Sequence, residues 1–144
     1  MTEPFQILLA EDNPSDVLLV RHVLQEHDIP NELHVILDGA EALRTLARIG
    51  QPGGPPRPDL LLLDMNLPKV DGPQFLSEFR RHPLCGTVPV IVISSSDQAR
   101  DRSRVASLDV IHYFKKPTSY DEFLELGNLV KSAVGEQSLK ARAS

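Results

Sequence analysis

The 144-residue chain has one cysteine, Cys85, no tryptophan, and only 5% aromatic residues. A lone thiol excludes an internal disulfide and fits a reducing compartment. No apolar run approaches the roughly 20 residues that cross a bilayer. The opening Met1-Thr2-Glu3-Pro4 lacks the basic and apolar stretches of a signal peptide. The expectation is a cytoplasmic protein with no membrane contact. Positive charge is also scarce, with 15 basic against 20 acidic residues and a net charge of −5. That argues against direct binding of nucleic acid or an anionic membrane. The histidines His22, His27, His34, His82 and His112 are scattered, none at i, i+4 from another and none beside the cysteine. This spacing argues against a histidine metal centre.

What the chain does have is alternation of short apolar runs with amphipathic stretches. Ile7 to Ala10, Leu33 to Leu37, Leu60 to Leu63, Val90 to Ile93 and Val110 to Phe114 read as strands. Asn13-Pro14-Ser15-Asp16 reads as a helix start, and that helix is expected to run to about Asp28. Gly39 to Gly50, Gly72 to His82, Asp97 to Leu108 and Tyr120 to Val134 supply four more helices. The fourth is weakly amphipathic, leaving Ala99, Val105, Ala106 and Leu108 to pack, which fits either a mobile, partner-facing helix or a solvated face. In the last, Leu124 and Leu129 lie off the main apolar stripe and are expected to mark an interface. Gln51 to Pro58 is a loop too rich in proline and glycine for either regular state. Gly135 to Ser144 reads as a flexible tail. These units predict one α/β domain over residues 5–134, a flavodoxin-like (βα)5 doubly wound parallel sheet with strand order 2-1-3-4-5.

In such a sheet the carboxyl ends of neighbouring strands form the binding edge. Here those ends carry Glu11-Asp12, Asp64, Ser94 and Lys116. Three carboxylates at one point repel one another unless a cation joins them, and hard oxygen ligands favour Mg²⁺, with Mn²⁺ able to substitute. Asn66 can add a backbone carbonyl. Each residue also has a plainer reading. Glu11 and Asp12 can simply cap the next helix, and Asp64 can be a turn residue. Lys115 competes with Lys116, and Ser95 and Ser96 compete with Ser94. Tyr113, three residues before Lys116, alternates to the other side of its strand and can be an ordinary half-buried aromatic.

Taken together, Ala10-Glu11-Asp12-Asn13, Leu62-Leu63-Asp64-Met65-Asn66-Leu67-Pro68, Asp71-Gly72, Val90 to Ser94 and Tyr113 to Pro117 resemble the response-regulator receiver domains of two-component signalling. The resemblance covers about Phe5 to Val134. Glu11 to Asp16 and the loop before Pro58-Asp59 are similar to the stand-alone regulators paired with bacterial and cyanobacterial phytochromes. The resemblance implies that Asp64 is the phosphoacceptor, with Asp12 binding Mg²⁺ directly, Glu11 binding it through water and the Asn66 carbonyl completing the set. It implies that Ser94 and Lys116 contact the phosphoryl group and that Tyr113 is the aromatic switch. The implied role is a phosphoacceptor signalling protein rather than an enzyme. Its phosphate donor would be a sensor histidine kinase, and its output surface the fourth helix, fifth strand and fifth helix. That surface would serve a homodimer, a downstream protein or a phosphotransfer protein, since no output domain fits after Val134. Asp109 stands where a glycine is frequent, which leaves the turn before the fifth strand open.

Three rivals share parts of this pattern. A haloacid-dehalogenase-type phosphatase also uses a strand-end aspartate but wants a second one where Asn66 stands. A receiver-like interaction module would have lost part of the acidic and lysine set. A nucleotide-binding flavodoxin-like domain would carry a Gly-rich phosphate loop after the first strand.

Overall fold

The structure, a computed structural model, describes residues 3–95 and 98–135. The expected start at Asp97, the competing Ser96 and the tail beyond Gly135 lie outside them. Strands β1 (Phe5–Ala10), β2 (Asn31–Ile36), β3 (Leu60–Asp64), β4 (Val90–Ser94) and β5 (His112–Lys115) form one parallel sheet ordered β2-β1-β3-β4-β5. Between and after them run α1 (Pro14–Glu26), α2 (Gly39–Arg48), α3 (Gly72–Arg81), α4 (Gln98–Val105), α5 (Tyr120–Phe123) and α6 (Leu126–Val134). This is the doubly wound architecture the alternation predicts.

Every residue of β3 and β4 is buried, as expected for central strands covered on both faces. Alternate residues feed two cores. Leu8, Leu61, Leu63, Val90 and Val92 pack with Leu46, Phe75 and Phe79 on the α2–α3 side. Ile7, Leu9, Leu62 and Ile93 pack with Val20, Leu24, Phe123, Leu126 and Val130 on the α1–α6 side. The proline-rich loop is tied down at both ends. Gly50 N–H donates to Pro55 O (3.0 Å), and Arg57 Nε donates to Leu84 O (2.7 Å).

The strands and helices α2 and α3 shift by one to two residues at an end from expectation, and three other helices differ, each for a local reason. α1 stops at Glu26, because Asp28 turns left-handed (φ 53°) and the Ile29 N–H closes back onto Leu24 O at 2.9 Å. The last helix is two pieces. Around Leu124-Glu125 the bonds tighten to i→i−3, with Glu125 N–H on Glu122 O and Gly127 N–H on Leu124 O, both 3.1 Å. The Leu124 carbonyl also pairs with the His27 ring at 2.8 Å. A Cβ on Gly127 would lie 1.9 Å from that ring, so only glycine lets α1 and α6 approach here. Third, α4 ends at Val105. It buries Val105 and Asp101 but leaves Ala99 and Ala106 exposed.

Leu124 and Leu129 are not free interface residues. Both are half-buried against the α1–α6 core. Asp109 takes the backbone that glycine usually supplies, with φ 57°, a region aspartate tolerates better than most residues. The turn before β5 therefore forms without the glycine.

Candidate functional site

Strand register sets the site. Ala10 lies beside Leu63, Asp64 beside Ile93 and Ser94 beside Lys115. Glu11, Asp64, Ser94 and Lys116 therefore leave the sheet at the same carboxyl edge, staggered by one to two residues. Lys116 is fixed there by its own N–H, which donates to Ser94 O at 2.7 Å just before Pro117. Glu11 N–H donates to Ile36 O at 2.9 Å, and its side chain turns back so that Oε2 accepts from Asn13 N–H at 3.2 Å.

Lys116 is the hub. Its Nζ lies 2.7 Å from Glu11 Oε1, 2.8 Å from Asp16 Oδ2 and 3.3 Å from Asp64 Oδ2. Burial alone would lower its pKa. Hydrogen bonds to Asp16 and Glu11, with the Asp64 charge, outweigh burial and hold Lys116 above the ordinary lysine value, so it is a fixed cation. Glu11 and Asp64 are 1% and 4% exposed, whereas Asp12 is exposed. Burial pushes the Glu11 carboxyl up to about 7 against the pull of Lys116, and the Asp64 carboxylate beside it pushes the same way. Asp64 Oδ1 accepts from the Asn66 N–H at 2.9 Å, which orients its carboxylate.

Ligand oxygens of Glu11, Asp12 and Asp64 all lie within 4.8 Å of one another. The donors are hard and anionic, and Lys116 offsets only part of their charge. This chemistry fits a divalent cation of the Mg²⁺ class. The three carboxylates and Lys116 are thus brought together as the sequence suggests, and Lys116 rather than Lys115 reaches the carboxylates. The Asn66 amide group points to Ser95 Oγ at 3.4 Å. Tyr113 is half-buried against the α2–α3 core, with the Arg102 guanidinium 4.6 Å from its ring centre. Asp38, at the end of β2, caps α2 by accepting from Glu41 N–H at 2.7 Å.

Two residues of the site escape the sequence reading. Asp16 looks like a first-turn carboxylate favoured by the helix dipole, and it is also a partner of Lys116. Its signal is position, since α1 begins at the sheet edge where Lys116 emerges. Asp101 sits in an Arg-rich stretch that looks solvated, yet it is 5% exposed and accepts a hydrogen bond from Ser94 Oγ. Its one signal is spacing, since it lies four residues before the buried Val105 and so on the same face of α4.

The chain matches the response regulator receiver domain family over residues 7–127 and belongs to that family. It is a receiver-domain protein of two-component signalling related to phytochrome response regulators. It is 35% identical over 129 residues to response regulator Rcp1 of Synechocystis sp., covering 90% of this chain and 88% of that protein. The Mn²⁺-bound crystal structure of Rcp1 superposes with a TM-score of 0.78, covering 90% of this chain and 93% of that one. The phosphorylated cyanobacterial phytochrome response regulator RcpA gives a TM-score of 0.79 at 32% identity, with the same coverage. The receiver domain of a sensor histidine kinase from Pseudomonas aeruginosa PAO1, with magnesium in its active-site cleft, gives 0.73 at 26% identity, covering 92% of this chain and 99% of that one. Membership in this family sets aside the phosphatase and nucleotide-binding rivals. No helix among the described residues is long and apolar enough to cross a membrane.

Proposed function

We propose that residues 5–134 form a phosphoacceptor domain that takes a phosphoryl group on Asp64 from a phosphohistidine of a sensor histidine kinase, most simply one of the phytochrome type. The observation that carries this reading is the contact of one lysine, Lys116, with Glu11 and Asp64 at 2.7 and 3.3 Å, at the mouth of a three-carboxylate cluster. Glu11, Asp12 and Asp64, with the Asn66 carbonyl, would hold Mg²⁺ or Mn²⁺. When bound, that cation supplies positive charge to the phosphoryl oxygens.

The chain's own groups do the rest. An Asp64 oxygen attacks phosphorus in line, the P–N bond to the kinase histidine breaks, and the nitrogen leaves with the electron pair. Lys116 stabilises charge spread over the phosphoryl oxygens as a point cation. The Ser94 hydroxyl donates to one of those oxygens. Water later attacks phosphorus, releasing phosphate and restoring the Asp64 carboxylate. Phosphorylation biases a two-state equilibrium in which Tyr113 changes place and the surface of α4, β5 and α5–α6 is re-formed. That surface serves a homodimer, a downstream protein or a phosphotransfer protein. Its support is Ile111, 45% exposed just before the edge strand β5, rather than Leu124 or Leu129.

Intact mass after incubation with acetyl phosphate and Mg²⁺ tests the chemistry. The expected result is a single phosphoryl adduct that is lost with a chelator and lost in Asp64→Asn. An adduct that persists in Asp64→Asn would place the acceptor elsewhere. No adduct from a folded protein, either from acetyl phosphate or from a phosphorylated histidine kinase, would leave an interaction module.

A further inference from the structure

We infer that Asp101 is a latch on the Ser94 hydroxyl, and that it makes α4 a direct competitor of the phosphoryl group. The inference rests on the phosphoacceptor role proposed for Asp64. Ser94 closes β4 and is 2% exposed, and its Oγ donates to Asp101 Oδ2 on α4. A hydroxyl has one proton to donate. The Asp101 carboxylate and a phosphoryl oxygen are both acceptors, so Ser94 can serve one or the other but not both. In the structure it serves Asp101.

The exchange has a consequence for α4. Asp101 is 5% exposed, and a buried carboxylate that loses a donor is costly to leave in place. Once Ser94 turns to the phosphoryl group, Asp101 is driven towards water, and α4 must shift to allow it. Little apolar surface resists that shift, because Val105 is the one buried apolar residue of α4 among its described side chains. Two further ties of α4 among its described residues are polar. Arg102 stacks on the Tyr113 ring at 4.6 Å, and Arg104 pairs with Asp71 at 2.9 Å. Through Arg102 the same displacement uncovers the switch tyrosine. Asp101 is therefore a positioning residue that acts through Ser94 and sets how much the phosphoryl group must contribute to move α4.

The test is a double-mutant cycle read with beryllium fluoride and Mg²⁺, a stable phosphoryl mimic, followed by ¹⁹F NMR. Asp101→Asn keeps the shape and weakens the acceptor. It should raise the affinity for the mimic roughly tenfold, the scale of a hydrogen bond to a charged group. The gain should vanish in a Ser94→Ala background, and Mn²⁺ affinity should be unchanged throughout. No gain in Asp101→Asn overturns the latch. So does an equal gain without Ser94, which would mean that Asp101 acts by charge alone. A second measurement needs no substitution. On adding the mimic to the wild type, amide hydrogen exchange should quicken in α4 and stay constant in α3, and an unchanged α4 overturns the latch. If the wild type neither binds the mimic nor takes phosphate from acetyl phosphate or from a phosphorylated histidine kinase, it is the reading of Asp64 that fails, and the latch falls with it.

Discussion

Helices α3 and α4 follow neighbouring strands and lie on the same side of the sheet, yet they are held by opposite kinds of force. α3 buries Phe75, Leu76 and Phe79 completely, with the two phenyl rings 5.8 Å apart. Its start is fixed by Pro73 and by the Asp71 cap, which accepts from Gln74 N–H at 2.9 Å. α4 is eight residues long and is held by Asp101 on Ser94, Arg102 on Tyr113 and Arg104 on Asp71. Apolar burial is deep but offers no second arrangement of similar energy. A hydrogen bond or an ion pair can be exchanged for another of similar strength. The fold thus ties one helix by apolar burial and its neighbour mainly by exchangeable contacts, and the latter reaches the residues proposed to sense the phosphoryl group.

The strongest way to break this contrast is to remove α3's anchor. Phe79→Ala should cost about 3–5 kcal/mol of stability, the range for a large aromatic truncated in a packed core. Urea unfolding followed by circular dichroism measures it. A loss under 1 kcal/mol would mean that α3 is no better anchored than α4. Cys85 supplies an independent probe. It is fully buried in the same core, and burial pushes its thiol up to about 11. The neutral thiol is the form the fold favours. Its contribution is therefore complete below the ordinary thiol value and is lost only as pH rises from there towards 11. At neutral pH thiolate chemistry waits on unfolding. Labelling of Cys85 should therefore be slow in the wild type and faster in Phe79→Ala.

The two helices also differ in how far the sequence discloses them. Phe75, Leu76 and Phe79 repeat at helical spacing behind Gly72-Pro73, so the presence, start and buried face of α3 follow from pattern alone. The strand order and the meeting of Glu11, Asp12, Asp64 and Lys116 follow the same way, because each strand end bears its functional residue in line. α4 follows only in part. Its presence and the packing of Val105 and Leu108 are legible, but its buried carboxylate, Asp101, finds its partner Ser94 across a strand end, and periodicity does not disclose that partner. Asp16 escapes for a similar reason, since a local role as a first-turn acid explains it sufficiently. Leu124 and Leu129 mislead in the other direction. They lie off the main apolar stripe, yet both pack half-buried against the α1–α6 core.

Arg80 joins α3 to the segment after α4. From the end of α3 its Nε donates to Leu108 O at 2.8 Å and its Nη2 to Asp109 O at 2.9 Å. Its Nη1 reaches Val88 O at 2.7 Å and Cys85 O at 3.1 Å. One planar fork thus ties the loop after α4 to the loop before β4, and it holds the left-handed Asp109 in place. Arg80→Ala should cost about 2 kcal/mol, the scale of hydrogen bonds to a charged group. Arg80→Lys should recover little, because an ammonium cannot reproduce the fork. Full recovery by lysine would show that charge rather than geometry anchors this end of α4. If the anchor also limits the helix's movement, amide exchange in α4 should quicken in Arg80→Ala more than in α3.

The smallest effect is the sharpest test of what kind of tie holds α4. The Arg104 and Asp71 side chains, 2.9 Å apart, are 35% and 50% exposed. Water and salt therefore screen most of their attraction. Arg104→Ala should change stability by about 0.5 kcal/mol or less, with the difference shrinking further at high salt. Cys85 labelling should keep its wild-type rate, because the core behind α3 does not depend on this pair. Exchange of the α4 amides should nevertheless rise, since one of the few ties on that helix is gone. Loosening of α4 without loss of global stability is the behaviour expected of a helix held by exchangeable contacts. A drop of several kcal/mol, or faster Cys85 labelling, would show instead that α4 unfolds together with the rest of the domain and cannot act as a separate moving part.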